Sequence, residues 1–216
     1  MHRPLKIYFA GDLFDAKDLG GNLMLAKAIE ERSSGRYQVM LPQDGESEVK
    51  KRTSRSIRDA DFKLLYSCDL IVANFDGCDL DSGTVVEFCF AKMLDIPAVL
   101  LRTDFRNAGD GDLPDGEPWN LMCSHYPRTE VLHLNAMLCY HRFKTADTAL
   151  FLNNFYNFIA QEICAKLDKI TALPSWLKIA DLHSAYLTAQ KAIGAEIFSD
   201  GELQTLIENK AASGLY

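Results

Sequence analysis

Leu70-Ile71-Val72-Ala73-Asn74-Phe75 is an apolar run broken only by Asn74, and a polar turn, Asp76-Gly77-Cys78-Asp79-Leu80, follows it. The next stretch, Asp81-Ser82-Gly83-Thr84-Val85-Val86-Glu87, runs on into Phe88-Cys89-Phe90-Ala91-Lys92-Met93-Leu94. The first segment reads as a strand whose continuous apolar character suits a sheet covered on both faces. The last reads as a helix, with Asp81 or Ser82 at the N-cap, where a side-chain oxygen accepts a free first-turn N–H. That helix is apolar on nearly every side, which predicts that it lies inside the protein. Yet Glu87 stands in its second turn. Burying a carboxylate costs several kcal/mol unless it is paired or its pKa moves, so Glu87 is a functional-site candidate. The plainer reading is a salt-bridged glutamate at the helix edge.

Working outward, the same alternation of strand and helix recurs. Leu5-Lys6-Ile7-Tyr8-Phe9-Ala10-Gly11 is a short strand ending in glycine, and Asp12-Leu13-Phe14 follows as a loop. Residues 19–33 carry a helical pattern closed by Ser33-Ser34-Gly35. Tyr37–Leu41 is a second strand, stopped by Pro42, with Gln43–Ser47 a polar loop and a charged helix over 47–66. Downstream, Ala98–Leu101 and Val131–Leu134 are the fourth and fifth strands, separated by an acidic loop from Asp104 to Glu117. The pattern predicts an α/β fold: a doubly wound, five-stranded parallel sheet with helices on both faces. In such sheets the site lies outside the C-terminal strand ends. The loops there are 11–18, 42–47 and 76–82, and each carries acids.

Beyond residue 145 the pattern is helical only. Residues 146–170 are amphipathic, Pro174 breaks the run, and 175–197 and 200–213 continue it. The expected organisation is a catalytic α/β domain over 1–144 and a helical extension over 145–216 that packs on it or on a neighbouring subunit.

The chain has 216 residues, 48% hydrophobic and 25% charged, with a net charge of −7. The richest basic run, Lys50, Lys51, Arg52, Arg55 and Arg58, reads as the solvated face of a helix, so nucleic-acid binding is not expected. No apolar run approaches the ~20 residues of a membrane span, and Met1-His2-Arg3-Pro4 lacks a signal-peptide core. Cys68, Cys78, Cys89, Cys123, Cys139 and Cys164 show no metal-binding spacing, which points to reduced thiols in a cytoplasmic protein.

Nucleotide-cradling glycine motifs are missing, and there is no G-x-S-x-G elbow to make Ser82 a nucleophile. His125, His133 and His141 lack the spacing of a helical metal pair, so neither a metal nor a cofactor is expected. What remains is carboxylates. Asp61, Asp81 and Glu87 are candidates to converge with Tyr8 and the Gln43 loop. Carboxylates in a neutral, metal-free pocket suit chemistry at an anomeric carbon, one acting as nucleophile while another group handles the leaving-group proton.

Four pieces of the chain resemble the nucleoside 2-deoxyribosyltransferases: Ile7-Tyr8-Phe9-Ala10-Gly11 with Leu13-Phe14, Asp61 placed eight residues before Asp69, Asp81-Ser82-Gly83-Thr84-x-x-Glu87, and Pro118-Trp119-Asn120-Leu121-Met122. The resemblance covers about residues 5–135, and the D-x-G-T-x-x-E run is its most specific part. It implies a flavodoxin-like sheet and exchange of the base of a 2′-deoxynucleoside for another free purine or pyrimidine, in deoxyribonucleoside salvage. It implies that Glu87 attacks C1′ to form a covalent deoxyribosyl-enzyme, that Tyr8 orients this carboxylate, and that Asp61 manages the base proton. Asp81 and Asn120 fall on groups that hold the sugar hydroxyls, the asparagine reaching in from a neighbouring subunit of a dimer or hexamer. Gly11, Gln43 and Met122 complete the implied substrate-binding set.

Two departures accompany the match. Where family members often carry a Gln in the second-strand loop, this chain has Glu46, and Gln43 is the candidate to act instead. Some members place a C-terminal carboxylate near the base, and the last residue here, Tyr216, matches that arrangement despite a longer tail. The sister activity, hydrolysis of 2′-deoxynucleoside 5′-monophosphates, needs a phosphate cradle, whereas Gly11-Asp12-Leu13-Phe14-Asp15 is acidic and apolar. A non-enzymatic receiver module would use Asp76 as phospho-acceptor with Asp12, Asp15 and Thr103. It lacks a lysine between Thr129 and Asn135 and leaves Glu87 unexplained.

Overall fold

The computed structural model describes residues 3–45, 53–107, 109 and 111–216. Glu46, Lys50, Lys51 and Arg52 lie outside the described residues. The chain runs β1 (Leu5–Ala10), α1 (Ala16–Arg32), β2 (Tyr37–Met40), α2 (Pro42–Gly45), α3 (Ser54–Ser67), β3 (Leu70–Asn74) and α4 (Ser82–Met93). It continues through β4 (Ala98–Arg102), β5 (Thr129–His133), α5 (Ala136–Phe143), α6 (Thr148–Thr171), α7 (Leu182–Ile193) and α8 (Asp200–Ala212). All five strands are parallel, in the order β2-β1-β3-β4-β5. This is the flavodoxin-like α/β architecture with a C-terminal helical extension.

The period-two alternation of a strand divides the interior into two cores. Ile7, Phe9, Leu70, Val72, Val99 and Leu101 point to one face, where α1 and α6 cover them. Tyr8, Ala10, Ile71, Ala73, Ala98 and Leu100 point to the other, where they share a core with residues of α3, α4, α7 and α8. The extension therefore contributes to both faces of the sheet. α6 packs along α1 and over β4 and β5, while Leu182, Tyr186 and Ile193 of α7 and Leu203 and Leu206 of α8 enter the core beside α3 and α4.

Helix starts follow local chemistry. Asp15 caps α1 by accepting the N–H of Lys17 (2.7 Å) and Asp18 (3.1 Å). Thr53 forms a capping box with Ser56 at α3, and Ser199 does the same with Glu202 at α8. Asp81 caps α4, accepting from Thr84 N (2.7 Å) and Thr84 Oγ1 (2.9 Å).

Three local expectations change, and one helix is added. The polar loop after β2 contains a helical turn, α2. The segment after β5 forms α5, capped by Asn135, with Cys139 turned inward and Met137 and Leu138 exposed. Residues 175–197 contain a 3-10 turn, Ile179–Asp181, ahead of α7. Helix α4, expected to be wholly inside, carries a stripe at the surface: Val86 and Met93 are exposed, and Val85, Cys89 and Phe90 are half-buried.

Candidate active site

Two elements meet at the centre of the site. Tyr8 lies on β1 with no exposed surface, and its hydroxyl donates a 2.5 Å hydrogen bond to Oε1 of Glu87 on α4. The pairing depends on Asp81, because its cap fixes where α4 begins and hence which face Glu87 occupies. Burial pushes the Glu87 carboxyl up to about 7; the Tyr8 hydrogen bond pulls it back, and the charges of Asp61 and Asp81 push it further up. Tyr8 is held well above its ordinary value by burial and by the adjacent carboxylate, so it remains a neutral donor.

A cleft of about 530 Å³ opens over this pair between α3 and the start of α4. Asp61 and Glu87 stand in its wall beside the apolar side chains of Ile57, Phe62 and Val86. Ile57 and Asp61 are four apart, and so are Ser54 and Arg58, so one face of α3 supplies most of one wall. Ile57, Phe62 and Arg58 were not among the site residues read from sequence; Ile57 and Arg58, four and three residues before Asp61, share its helix face, whereas Phe62, next to Asp61, has no such signal. The volume suits a nucleoside-sized molecule.

Asp81 stands at the rim, with one oxygen committed to Thr84. Asp12, half-buried in the β1 loop, is raised above the usual carboxylate range by burial and by the charges of Asp81, Asp18 and Asp76. Gly11 sits where the chain leaves β1, and a Cβ there would come within 3.1 Å of the Asn74 Cβ. Asp76 is committed to structure: its carboxylate accepts from Thr103 N (2.5 Å), Thr103 Oγ1 (2.7 Å) and Asp104 N (2.7 Å), stitching the β3 loop to the β4 loop.

The other sequence-derived candidates sit elsewhere in the chain. Gln43 on α2 donates through Nε2 to the Leu19 carbonyl of α1 (3.2 Å). Asn120 is exposed and caps a 3-10 turn, Leu121–Cys123, by accepting the Met122 N–H (2.9 Å). Met122 is 70% exposed. Neither Asn120, Met122 nor Gln43 lines the Glu87 cleft of its own chain. The segment carrying Asn120 is anchored by Trp119, whose ring packs edge-on against Phe75 and whose Nε1 donates to Ser124 Oγ (3.1 Å). Tyr216 does not approach the cleft of its own chain: its hydroxyl donates to the Leu94 carbonyl (3.2 Å), beyond the far end of α4. The expectation that the last residue lies near the base is thus not met within one chain.

Among the described residues no group of three or more His, Cys, Asp or Glu side chains is placed to hold a metal ion. His133 contacts Glu117 (2.7 Å) and stacks on Trp119, and His125 stands 3.8 Å from Asp115. No helix among those residues is long and apolar enough to cross a membrane.

A parallel sheet in this order, with carboxylates gathered where the connections from β1 and β3 diverge to opposite faces, defines a flavodoxin-like α/β protein with its site at the topological switch point. The chain belongs to the nucleoside 2-deoxyribosyltransferase family, whose sequence profile matches residues 7–148. Among solved structures, a conserved protein from Enterococcus faecalis V583 is 28% identical, with a TM-score of 0.51 over 62% of this chain and 94% of that one. A 2-deoxyribosyltransferase from Leishmania mexicana is 22% identical, covering 59% of this chain and 90% of that chain at a TM-score of 0.48. One from the psychrotolerant bacterium Bacillus psychrosaccharolyticus is 16% identical, covering 68% and 95% at 0.45. No curated protein matches the chain.

Proposed function

We propose that the protein exchanges the base of a 2′-deoxynucleoside through a covalent 2-deoxyribosyl-Glu87 intermediate. The observation that carries this reading is the Glu87 carboxylate, half-buried in a largely apolar cleft, aimed by the Tyr8 hydroxyl at 2.5 Å and accompanied by a second acid, Asp61. A desolvated carboxylate is a stronger nucleophile than a hydrated one, and Tyr8 keeps it ionisable near neutral pH. In the first half-reaction a Glu87 oxygen bonds to C1′, the bond from C1′ to the base nitrogen breaks, and Asp61 delivers the proton that the departing nitrogen takes up. In the second half-reaction, a different base attacks C1′, its proton passes to Asp61, and Glu87 returns to the carboxylate. Two inversions retain the configuration at C1′.

Asp81 holds the sugar hydroxyls through its uncommitted oxygen, with Gly11 leaving room beside it and Gln43 at the edge of the base site. Asn120 and Met122 act in the site of a neighbouring subunit of a homo-oligomer. Their exposure on a rigid turn, together with the exposed Val86 and Met93 stripe on α4, supports that arrangement. A cytoplasmic location belongs to the same reading, in keeping with six free thiols. The hydrolytic reading fares worse on electrostatics. Asp15 already occupies the N-terminus of α1, and Asp12, Asp61, Asp81 and Glu87 would oppose a substrate phosphate, while Arg58, the cation in the cleft wall, is already bonded to Asp59.

The test is chromatographic. With 2′-deoxyadenosine and hypoxanthine, 2′-deoxyinosine is expected; with thymidine and adenine, 2′-deoxyadenosine reports acceptance of both base classes. Base release from 2′-deoxynucleoside 5′-monophosphates with no exchange would replace the transferase with the hydrolase. Mixing Glu87→Ala and Asn120→Ala chains under conditions of subunit exchange is expected to recover part of the activity through hybrid sites. No recovery would assign Asn120 to its own subunit.

A further inference from the structure

A cavity of about 510 Å³ opens near the N-terminal end of β1, between Lys6, the last turn of α3 and α8. Arg3, Lys6, Lys210 and Asn209 supply much of its polar wall. Beneath it lies Asp69, fully buried, which accepts from both terminal nitrogens of Arg3 (2.6 and 2.9 Å) and from the Lys6 N–H (2.8 Å). Lys210 is 1% exposed, and its Nζ donates to the Cys68 carbonyl. Glu202 also reaches the wall, but Lys63 (2.8 Å) and the Ser199 N–H (2.8 Å) hold its carboxylate.

The charges do not balance. Three cations, Arg3, Lys6 and Lys210, surround one carboxylate, Asp69, and Arg3 is already bidentate upon it. The Lys6 ammonium has no hydrogen-bonded or ion-paired acceptor among the described residues, and Lys210 meets a neutral carbonyl. Burial pulls Lys210 down to about 8 even though Asp69 opposes the shift, as expected of an ammonium short of counter-charge. A buried cation is stable when an anion and hydrogen-bond acceptors reach it. In a chain of net charge −7, such a local positive excess over an open cavity calls for an anion from outside.

We propose that this cavity binds a small phosphate-bearing molecule, with the phosphate oxygens received by the ammonium group of Lys6 and the side-chain amide of Asn209, above the buried positive charge of Lys210. Phosphate matches the site because several acceptor oxygens can meet separate donors at once. The volume leaves room for a group of pentose size beyond the phosphate. Lys210 and Asn209 belong to α8, outside the region the family profile matches, so the site arises where the extension meets the sheet.

The test is calorimetric titration of the full chain, without nucleoside, using inorganic phosphate, a pentose 5-phosphate, and chloride at matched ionic strength. Saturable one-to-one binding of either phosphate, not reproduced by chloride, is expected. Tighter binding of the ester would place the sugar in the remaining volume, and equal binding would make free phosphate the ligand. Lys6→Met, at the half-buried wall, is expected to weaken binding at least about tenfold while Lys6→Arg restores it. Absence of saturable heat, a heat matched by chloride, or unchanged affinity in folded Lys6→Met would overturn the proposal. Glu87→Ala protein is expected to bind phosphate like the parent, so this result and the transferase reading stand or fall separately.

Discussion

At the N-terminal end of the sheet, buried carboxylates meet cations. Asp69 accepts from both arms of Arg3, and Asp95, also fully buried, accepts from Arg128 (2.7 Å), Ser175 Oγ (2.6 Å) and Trp176 N (3.1 Å). At the C-terminal end, Glu87 meets a phenol and the charges of two further acids, with Asp12 crowded close by. The Asp69 carboxyl stays below its ordinary value despite burial because Arg3, Lys210 and the Lys6 N–H outweigh the desolvation. The Glu87 carboxyl rises because burial outweighs the Tyr8 hydrogen bond and no cation opposes it. A carboxylate thus holds the fold together at one end, where cations answer it, and stands poised for chemistry at the other, where none does.

The largest effect that would break this contrast is on the chemistry itself. Glu87→Ala is expected to lower base exchange by at least about a thousandfold while the circular dichroism spectrum is unchanged. Substantial exchange by the folded variant would remove Glu87 from the role of nucleophile and leave the acidic end without an assigned purpose.

At the opposite end the expected effect is on stability. Arg128 bonds Asp95 and, through its other terminal nitrogen, the Leu215 carbonyl (2.7 Å), so it joins the end of α4 to the last residues of the extension. Arg128→Met strands the Asp95 charge and is expected to cost about 3–5 kcal/mol. For a chain of this size that corresponds to a fall in Tm of roughly 10 °C. Exchange activity measured well below the transition is expected to persist. A variant that melts like the parent would show that Ser175 and the Trp176 N–H suffice for Asp95.

Which parts of this were legible in the sequence follows from range. The strands showed as apolar runs, and the α4 start showed in Asp81, because a cap and a run are decided by neighbours in the chain. Asp95 and Arg128 lie 33 residues apart, and Lys210 reaches Cys68 across 142. No local period encodes either contact, so the Asp95–Arg128 pair and the tie from α8 to Cys68 were invisible. The outward stripe on α4 was also hidden, since apolar composition reports what a helix can bury and not which neighbour covers it. Tyr8 and Glu87 were brought together by resemblance to a family, across 79 residues, rather than by spacing.

A third effect concerns the stability cost of keeping Glu87 unanswered. Its carboxyl is raised from 4.5 to about 7, so the folded chain holds a proton that the unfolded chain releases between those values. Stability conferred by the neutral form is therefore lost as pH rises from about 4.5 to 7, and above that the charge costs up to about 3 kcal/mol. Glu87→Gln keeps the shape and an acceptor for Tyr8 without the charge. It is expected to raise Tm at pH 8 and to leave it unchanged at pH 4. A lower Tm at pH 8 would mean that the ionised carboxylate is stabilised after all, which would erase the difference between the two ends.

The smallest effect sharpens the contrast by removing the one group that favours the Glu87 charge. Tyr8→Phe deletes a hydrogen bond to a carboxylate, an interaction of about 1.5–3 kcal/mol, and so is expected to raise the Glu87 pKa by about 1–2 units. Because the nucleophile acts when ionised, exchange at pH 7 is expected to fall about 5–50-fold, with the acid limb of the rate profile displaced upward by the same interval. Much of the rate then returns at pH 9, where Glu87 ionises without help. A purely structural tyrosine would lower the rate equally at every pH. A profile of unchanged midpoint would show that Tyr8 supports the packing of β1 against α4 while some other group sets the charge of Glu87.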